Sequence, residues 1–163
     1  MAYDLSNPTI EEFWEYVKDG TINSLYLTSK ANIATGTHRY KDNNGQIIPI
    51  SETTDDDALA FWVELFSNYI NNDYMNLPEN EIPFCFIVKE DNKVISIHGG
   101  YIIYEDNLWI GCQALTAPNA AGSKAYYFQH DYNLAFVNFM KAQGVNKMRL
   151  ITETGSTMAF RAS

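Results

Sequence analysis

The residues best suited to hold a ligand lie in the run Ala117-Pro118-Asn119-Ala120-Ala121-Gly122-Ser123-Lys124. An apolar stretch from Leu108 to Leu115 reads as a strand before it, and a helical pattern runs from about Ala125 to Gln143 after it. A strand that passes through a turn of glycine and alanine into a helix gathers unpaired backbone N–H groups and the positive end of the helix dipole in one place. An anion, commonly a phosphate, is held there.

Other chemistry-bearing side chains are sparse. Cys85 and Cys112 both sit in apolar strand patterns, where a free thiol behaves as a small hydrophobe and not as half of a disulfide. That usage suits a reducing, intracellular setting. A nucleophilic thiol needs a histidine or a positive helix end beside it, and the sequence does not say which of His38, His98 or His130 approaches either cysteine. His98 stands next to Gly99-Gly100 inside a strand pattern, and paired glycines there point to a bulge or to the close approach of another backbone or a ligand. Asp55-Asp56-Asp57 reads as the first turn of a helix, because adjacent carboxylates on a helix diverge and cannot share one metal ion.

The elements that must position these residues follow from periodicity. Thr9 and Glu12 form a capping-box pair ahead of Ile10, Phe13, Trp14 and Val17, giving a helix from about 9 to 19 that Gly20 ends. Ser24 to Thr28 and Ile33 to Tyr40 have β character, Asp42-Asn43-Asn44-Gly45 is a hairpin turn, and Gln46 to Ile50 is its return. Leu59, Trp62, Val63, Phe66, Tyr69 and Ile70 make one apolar stripe on a helix from Thr54 or Asp55 to Ile70. Phe84 to Lys89, Lys93 to Tyr104 and Leu108 to Leu115, joined by short polar turns, read as an antiparallel meander. A long helix carrying Phe128, Tyr132, Phe136 and Phe139 on one face then stops at Gly144, and Met148 to Thr152 is a further strand.

The 163 residues suit a single domain, read here as 1–163, and the 46% apolar and 14% aromatic content is enough to build a core without metal or disulfide. A net charge of −9 disfavours nucleic acid as a partner unless the cations cluster. Lys124, Lys141, Lys147, Arg149 and Arg161 come nearest to clustering, around the C-terminal helix, and otherwise read as solvated surface. No apolar run reaches membrane-spanning length and the first residues do not resemble a signal peptide, so neither a membrane association nor export is expected.

A helix, three antiparallel strands, a small-residue turn, an amphipathic helix and another strand, in that order over roughly Thr54 to Thr152, resemble the Gcn5-related N-acetyltransferases. The resemblance implies an α/β (α+β) fold, with a mixed, largely antiparallel sheet flanked by helices. It implies acetyl-coenzyme A as cosubstrate, with no metal, and transfer of its acetyl group to an amine on a small molecule or a protein. The pantetheine arm would lie along Gln113, Ala114 and Leu115, whose strand N–H groups would also hold the oxyanion. The pyrophosphate would sit on Asn119, Gly122, Ser123, Lys124 and Ala125. Only Gly122 matches the family's turn motif cleanly. Asn119 replaces a long polar residue, and Lys124 replaces a small one, where it would block a phosphate or pair with it.

Removing the acceptor's ammonium proton needs a base, and Glu153, Glu105 and His98 are the candidates by position. Relative to the family the chain looks short at its C-terminus. There is no tyrosine after Tyr132 to protonate the leaving thiolate, and the strand at Met148 to Thr152 has an exposed edge that another chain, a second copy or the N-terminal strands would pair. The acidic, aromatic-rich composition is also similar to that of small bacteriophage proteins, including virion components, that carry this fold with eroded motifs. The rival expectation is therefore a catalytically silent structural or protein-binding module, and the expected location is the cytoplasm, or the host cytoplasm or virion for a phage protein.

Overall fold

In a computed structural model, residues 3–32, 39–41, 44, 46–49, 54–72, 78–117 and 130–150 are described. Strand β1 (Tyr3–Ser6) precedes helices α1 (Ile10–Lys18) and α2 (Thr21–Asn32), then the short strands β2 (Arg39–Lys41) and β3 (Ile47–Pro49). Helix α3 (Asp55–Ile70) leads to the long strands β4 (Glu81–Glu90), β5 (Lys93–Ile103) and β6 (Leu108–Thr116), and helix α4 (His130–Ala142) to β7 (Lys147–Leu150).

Local chemistry sets the helix starts. At α1, Thr9 Oγ1 accepts from the Glu12 amide at 3.1 Å while Glu12 Oε1 accepts from the Thr9 amide at 3.2 Å, so two orphan donors are satisfied reciprocally. Asp19 Oδ1 accepts from the Thr21 amide at 2.9 Å and starts α2 only a turn later, with Gly20 at φ +85° making the corner. The β character expected for Ser24 to Thr28 is thus corrected: the segment is helical, and Ile22, Leu25 and Tyr26 bury themselves at helical spacing. Thr54 caps α3, accepting from the Asp57 amide at 3.2 Å, and three aspartates occupy the first turn where the dipole favours them.

The main sheet runs β1-β4-β5-β6-β7, and β2 and β3 pair separately. All neighbours in the main sheet are antiparallel except β6 and β7, which are parallel across the α4 crossover. The β4–β5 hairpin closes through Asp91 and Asn92, both at positive φ (51° and 68°), the turn that matches strand twist. Strand β1 was not expected, and it covers the β4 edge. Among the described residues the N-terminal strands do not pair with β7, because β1 lies at the opposite end of the sheet and β2 and β3 pair with each other.

Strand alternation divides the core into two layers. Cys85, Ile87, Ile97 and Leu115 face α1, α2 and α3, meeting Phe13, Ile22, Leu25, Trp62, Phe66 and Tyr69. Phe86, Val88, Ile102 and Trp109 face α4, meeting Tyr132, Phe136 and Met140. Each fully buried large side chain contributes roughly 1.5–3 kcal/mol, so helices on both faces are what hold the central strands.

Candidate active site

The centre of the sheet is irregular where β5 and β6 meet. Gly99 pairs with Gln113 and Gly100 with Gly111, which leaves Cys112 with no residue opposite it. The extra residue therefore sits on β6, and a bulge of this kind bends the strand and re-aims its backbone. The glycine pair on β5 makes room for it. A Cβ on Gly100 would collide with the Ile110 carbonyl oxygen, and one on Gly99 would lie 2.5 Å from Cδ2 of the Tyr69 ring. Neither glycine has a positive φ, so they are needed for space and not for backbone conformation.

Beyond the bulge β6 changes its neighbours. Its parallel ladder with β7 runs from Leu108 and Lys147 to Gly111 and Leu150, while its ladder with β5 continues to Thr116 and Ser96. Among the described residues, positions 113–116 of β6 therefore pair on the β5 side only, and Cys112 pairs on neither side. The expected pantetheine strand lies here, with Gln113 half-buried, Ala114 exposed and Leu115 buried. Asn119, Gly122, Ser123, Lys124 and Ala125, expected to take the pyrophosphate, fall outside the described residues, as does Glu153.

The other candidate bases lie apart from one another. Glu105 is exposed in the 3-10 turn Tyr104–Asp106 that joins β5 to β6. Leu108 to Gln113 is five strand steps, roughly 17 Å, so that carboxylate stands well away from the bulge. His98 is buried in the α4 layer, with Nε2 2.9 Å from Ser96 Oγ and its ring stacked on Phe86. Burial pushes its pKa down to about 3. A ring held neutral so firmly is a weak proton acceptor near neutral pH.

Neither thiol is activated. Burial raises the pKa of Cys85 far above its ordinary value. At Cys112 burial also dominates and raises it, with the Glu81 carboxylate adding to the rise and a hydrogen bond from Tyr69 opposing it. Both are protonated near neutral pH, which suits packing and not nucleophilic attack. Among the described residues no group of three His, Cys, Asp or Glu side chains could hold a metal, and no helix is long and apolar enough to cross a membrane.

A mostly antiparallel five-stranded sheet with a bulged central strand, a helical crossover and a parallel neighbour has the fold of the Gcn5-related N-acetyltransferases. Among solved structures the chain is similar to PaiA N-acetyltransferase from Thermoplasma acidophilum in complex with coenzyme A, with a TM-score of 0.52 and 14% identity over 99% of this chain and 86% of that one. An aminoglycoside acetyltransferase from an uncultured soil metagenomic sample has a TM-score of 0.48 at 10% identity, covering 98% of this chain and 84% of its own. Ribosomal-protein-alanine N-acetyltransferase from Brucella melitensis biovar Abortus 2308 has 0.45 at 10%, covering 99% and 88%. No protein-family model matches the chain, and no curated protein matches it in sequence. The likeness is one of fold.

Tyr69 was read from the sequence only as part of an apolar helix stripe, and Cys112 only as an apolar strand residue. The signal that could have joined them is the Gly99-Gly100 pair, which marks the level of the sheet where both approach.

Proposed function

We propose that the protein transfers an acetyl group from acetyl-coenzyme A to an amine. The acceptor nitrogen attacks the thioester carbonyl, a C–N bond forms, the C–S bond breaks, and coenzyme A leaves as a thiolate that takes up a proton. The base that receives the ammonium proton would be Glu153, and the acceptor would be a small-molecule or protein amine. The N–H groups of Gln113 to Leu115 would hold the developing oxyanion, and Asn119 to Ala125 with the start of the long helix would hold the pyrophosphate.

The observation that carries this reading is the β6 bulge at Cys112, in a strand paired on one side past Gly111 among the described residues. A backbone displaced from its ladder is what a site needs to present N–H groups to a carbonyl without side-chain donors. Support from outside the chain is the fold shared with an N-acetyltransferase solved with coenzyme A.

Calorimetric titration with acetyl-coenzyme A tests it. Micromolar affinity that is lost in Gly122→Val, with the fold retained by circular dichroism, is the expected result. No heat at millimolar ligand would reject the coenzyme site and favour the structural-module reading. A variant that binds as tightly as the parent would place the phosphates elsewhere.

A further inference from the structure

Two large side chains cover bare backbone at the place where β6 meets β7. Among the described residues the β6–β7 ladder ends where Gly111 pairs with Leu150. A Cβ on Gly111 would lie 2.9 Å from Leu150 Cδ2, so the leucine side chain reaches across the ladder and covers that bare α-carbon. The same Cβ would stand 3.2 Å from Trp109 Nε1, while a Cβ on Gly100 would stand 2.9 Å from Cη2 at the other end of the indole. Trp109 therefore lies over both glycines, bridging β5 and β6 across a strand spacing of about 4.8 Å.

The indole is held firmly. It is buried in the α4 layer, and its ring packs on Phe84 and Phe86 of β4 with centroids 5.5 Å and 5.6 Å away. A ring seated on two bare α-carbons and hemmed in by two more rings cannot turn aside without opening a void. Leu150 is only half-buried, so part of its side chain is open at the end of the ladder, with Trp109 behind it.

The acetyl-transfer reading gives this end of the ladder a direction. With the pyrophosphate at residues 119–125, the pantetheine arm runs back along β6 from Leu115 to Gln113, and the thioester is the part nearest Gly111. Whatever is attached beyond the thioester carbonyl then points at Leu150. Gln113 to Gly111 is two strand steps, roughly 7 Å, which leaves room for a methyl group in contact with the leucine and little more.

We propose that Leu150, backed by the Trp109 indole, is the stop that sets acyl-chain length, so that acetyl thioesters enter and butyryl or longer ones do not. The proposal rests on the acetyl-transfer reading for the direction of the arm. Specificity of this kind comes from a filled space that the wrong group would have to share.

Calorimetric titration with coenzyme A, acetyl-coenzyme A and butyryl-coenzyme A tests it in the parent, Leu150→Ala and Leu150→Phe. The parent should bind the butyryl thioester at least about tenfold more weakly than the acetyl thioester. Leu150→Ala removes the side chain beyond Cβ and should bring the two affinities within about twofold of each other. Leu150→Phe enlarges the stop and should weaken acetyl-coenzyme A by about tenfold, with acyl-free coenzyme A held within about twofold of the parent. The two substitutions act in opposite directions, so a general loosening of the fold cannot mimic both. Equal affinities of the parent for the acetyl and butyryl thioesters, or a preference that Leu150→Ala leaves unchanged, would overturn the stop while leaving the coenzyme site in place. Leu150→Phe weakening coenzyme A as much as its acetyl thioester would also overturn it, because the side chain would then not face the acyl group. If the parent binds none of the three, the acetyl-transfer reading and the stop fall together.

Discussion

The imidazole of His98 lies flat on the ring of Phe86, with centroids 4.7 Å apart and planes 10° from parallel. The pairing has a direct cost in acid. An unfolded histidine binds its proton near pH 6.5, whereas burial in this sheet lowers the folded value to about 3. Between those limits the unfolded chain binds more protons, so stability is full above about 6.5 and falls as the pH drops toward 3. The parent protein should lose about 2 kcal/mol between neutral pH and pH ~5 through this residue. Urea unfolding at the two pH values, in the parent and in His98→Gln, checks it. Parallel losses in the two proteins would show that His98 is not the cause.

Gly100 and Gly99 should respond differently to alanine. At position 100 the new methyl meets a backbone carbonyl, which cannot swing aside, and the cost should reach or exceed about 3 kcal/mol. At position 99 it meets the edge of the Tyr69 ring, a side chain that can tilt, and about 1–2 kcal/mol is expected. Chemical denaturation midpoints measure both. Equal costs would mean that the strand adjusts where the side chain was expected to.

The capping box at α1 should be worth about 1 kcal/mol in Thr9→Ala. Because both hydrogen bonds lie on the exposed end of the helix, the loss should appear without any change in the core's near-ultraviolet spectrum. A loss below about 0.3 kcal/mol would mean that water replaces the cap fully.

Phe66→Ala should cost about 3–5 kcal/mol, since the ring is fully buried between Trp62 and Tyr69. Leu134, on α4 but 53% exposed, should change stability by no more than about 0.5 kcal/mol when replaced by alanine. Thermal melts of the two variants side by side test the core assignment. A larger loss at Leu134 would indicate a contact that its exposure does not reveal.

Much of this architecture can be read along the chain. Thr9 and Glu12, the aspartates after Thr54, the Trp62-Phe66-Tyr69 stripe and Gly144 each act within a turn or two of themselves, and each sits where its local chemistry places it. The β4 to β6 meander follows for the same reason, its turns being short and polar. Helix α2 was harder to see because Thr21, Ile22, Tyr26 and Thr28 favour strands, and packing against α1 and β6 decides the matter. Strand β1 has too little pattern in four residues to declare itself.

The bulge illustrates the limit at the site itself. Gly99 and Gly100 announce that something unusual happens on β5, and the sequence says so. The extra residue nevertheless belongs to β6, twelve positions beyond Gly100 at Cys112, because register between strands is a pairwise property that neither strand encodes alone. Glu105 shows the same limit from the other direction. Its chain neighbours made it a candidate base, but the strand length between it and the bulge could be measured only once the register was known.

Strand β1 carries one more consequence, for the order in which the molecule assembles. Tyr3 to Ser6 pair with Glu90 to Ile87, and Asn7 Nδ2 donates to the Cys85 carbonyl at 2.8 Å. A segment made this far ahead of its partner must therefore wait for a strand some eighty residues later before its ladder can form. The hairpins of β4, β5 and β6 can close as soon as they are made, whereas β1 can only be added to a finished edge. During that interval the apolar flank of β4 is open to another chain, so the speed with which β1 returns governs how much of the newly made protein escapes aggregation.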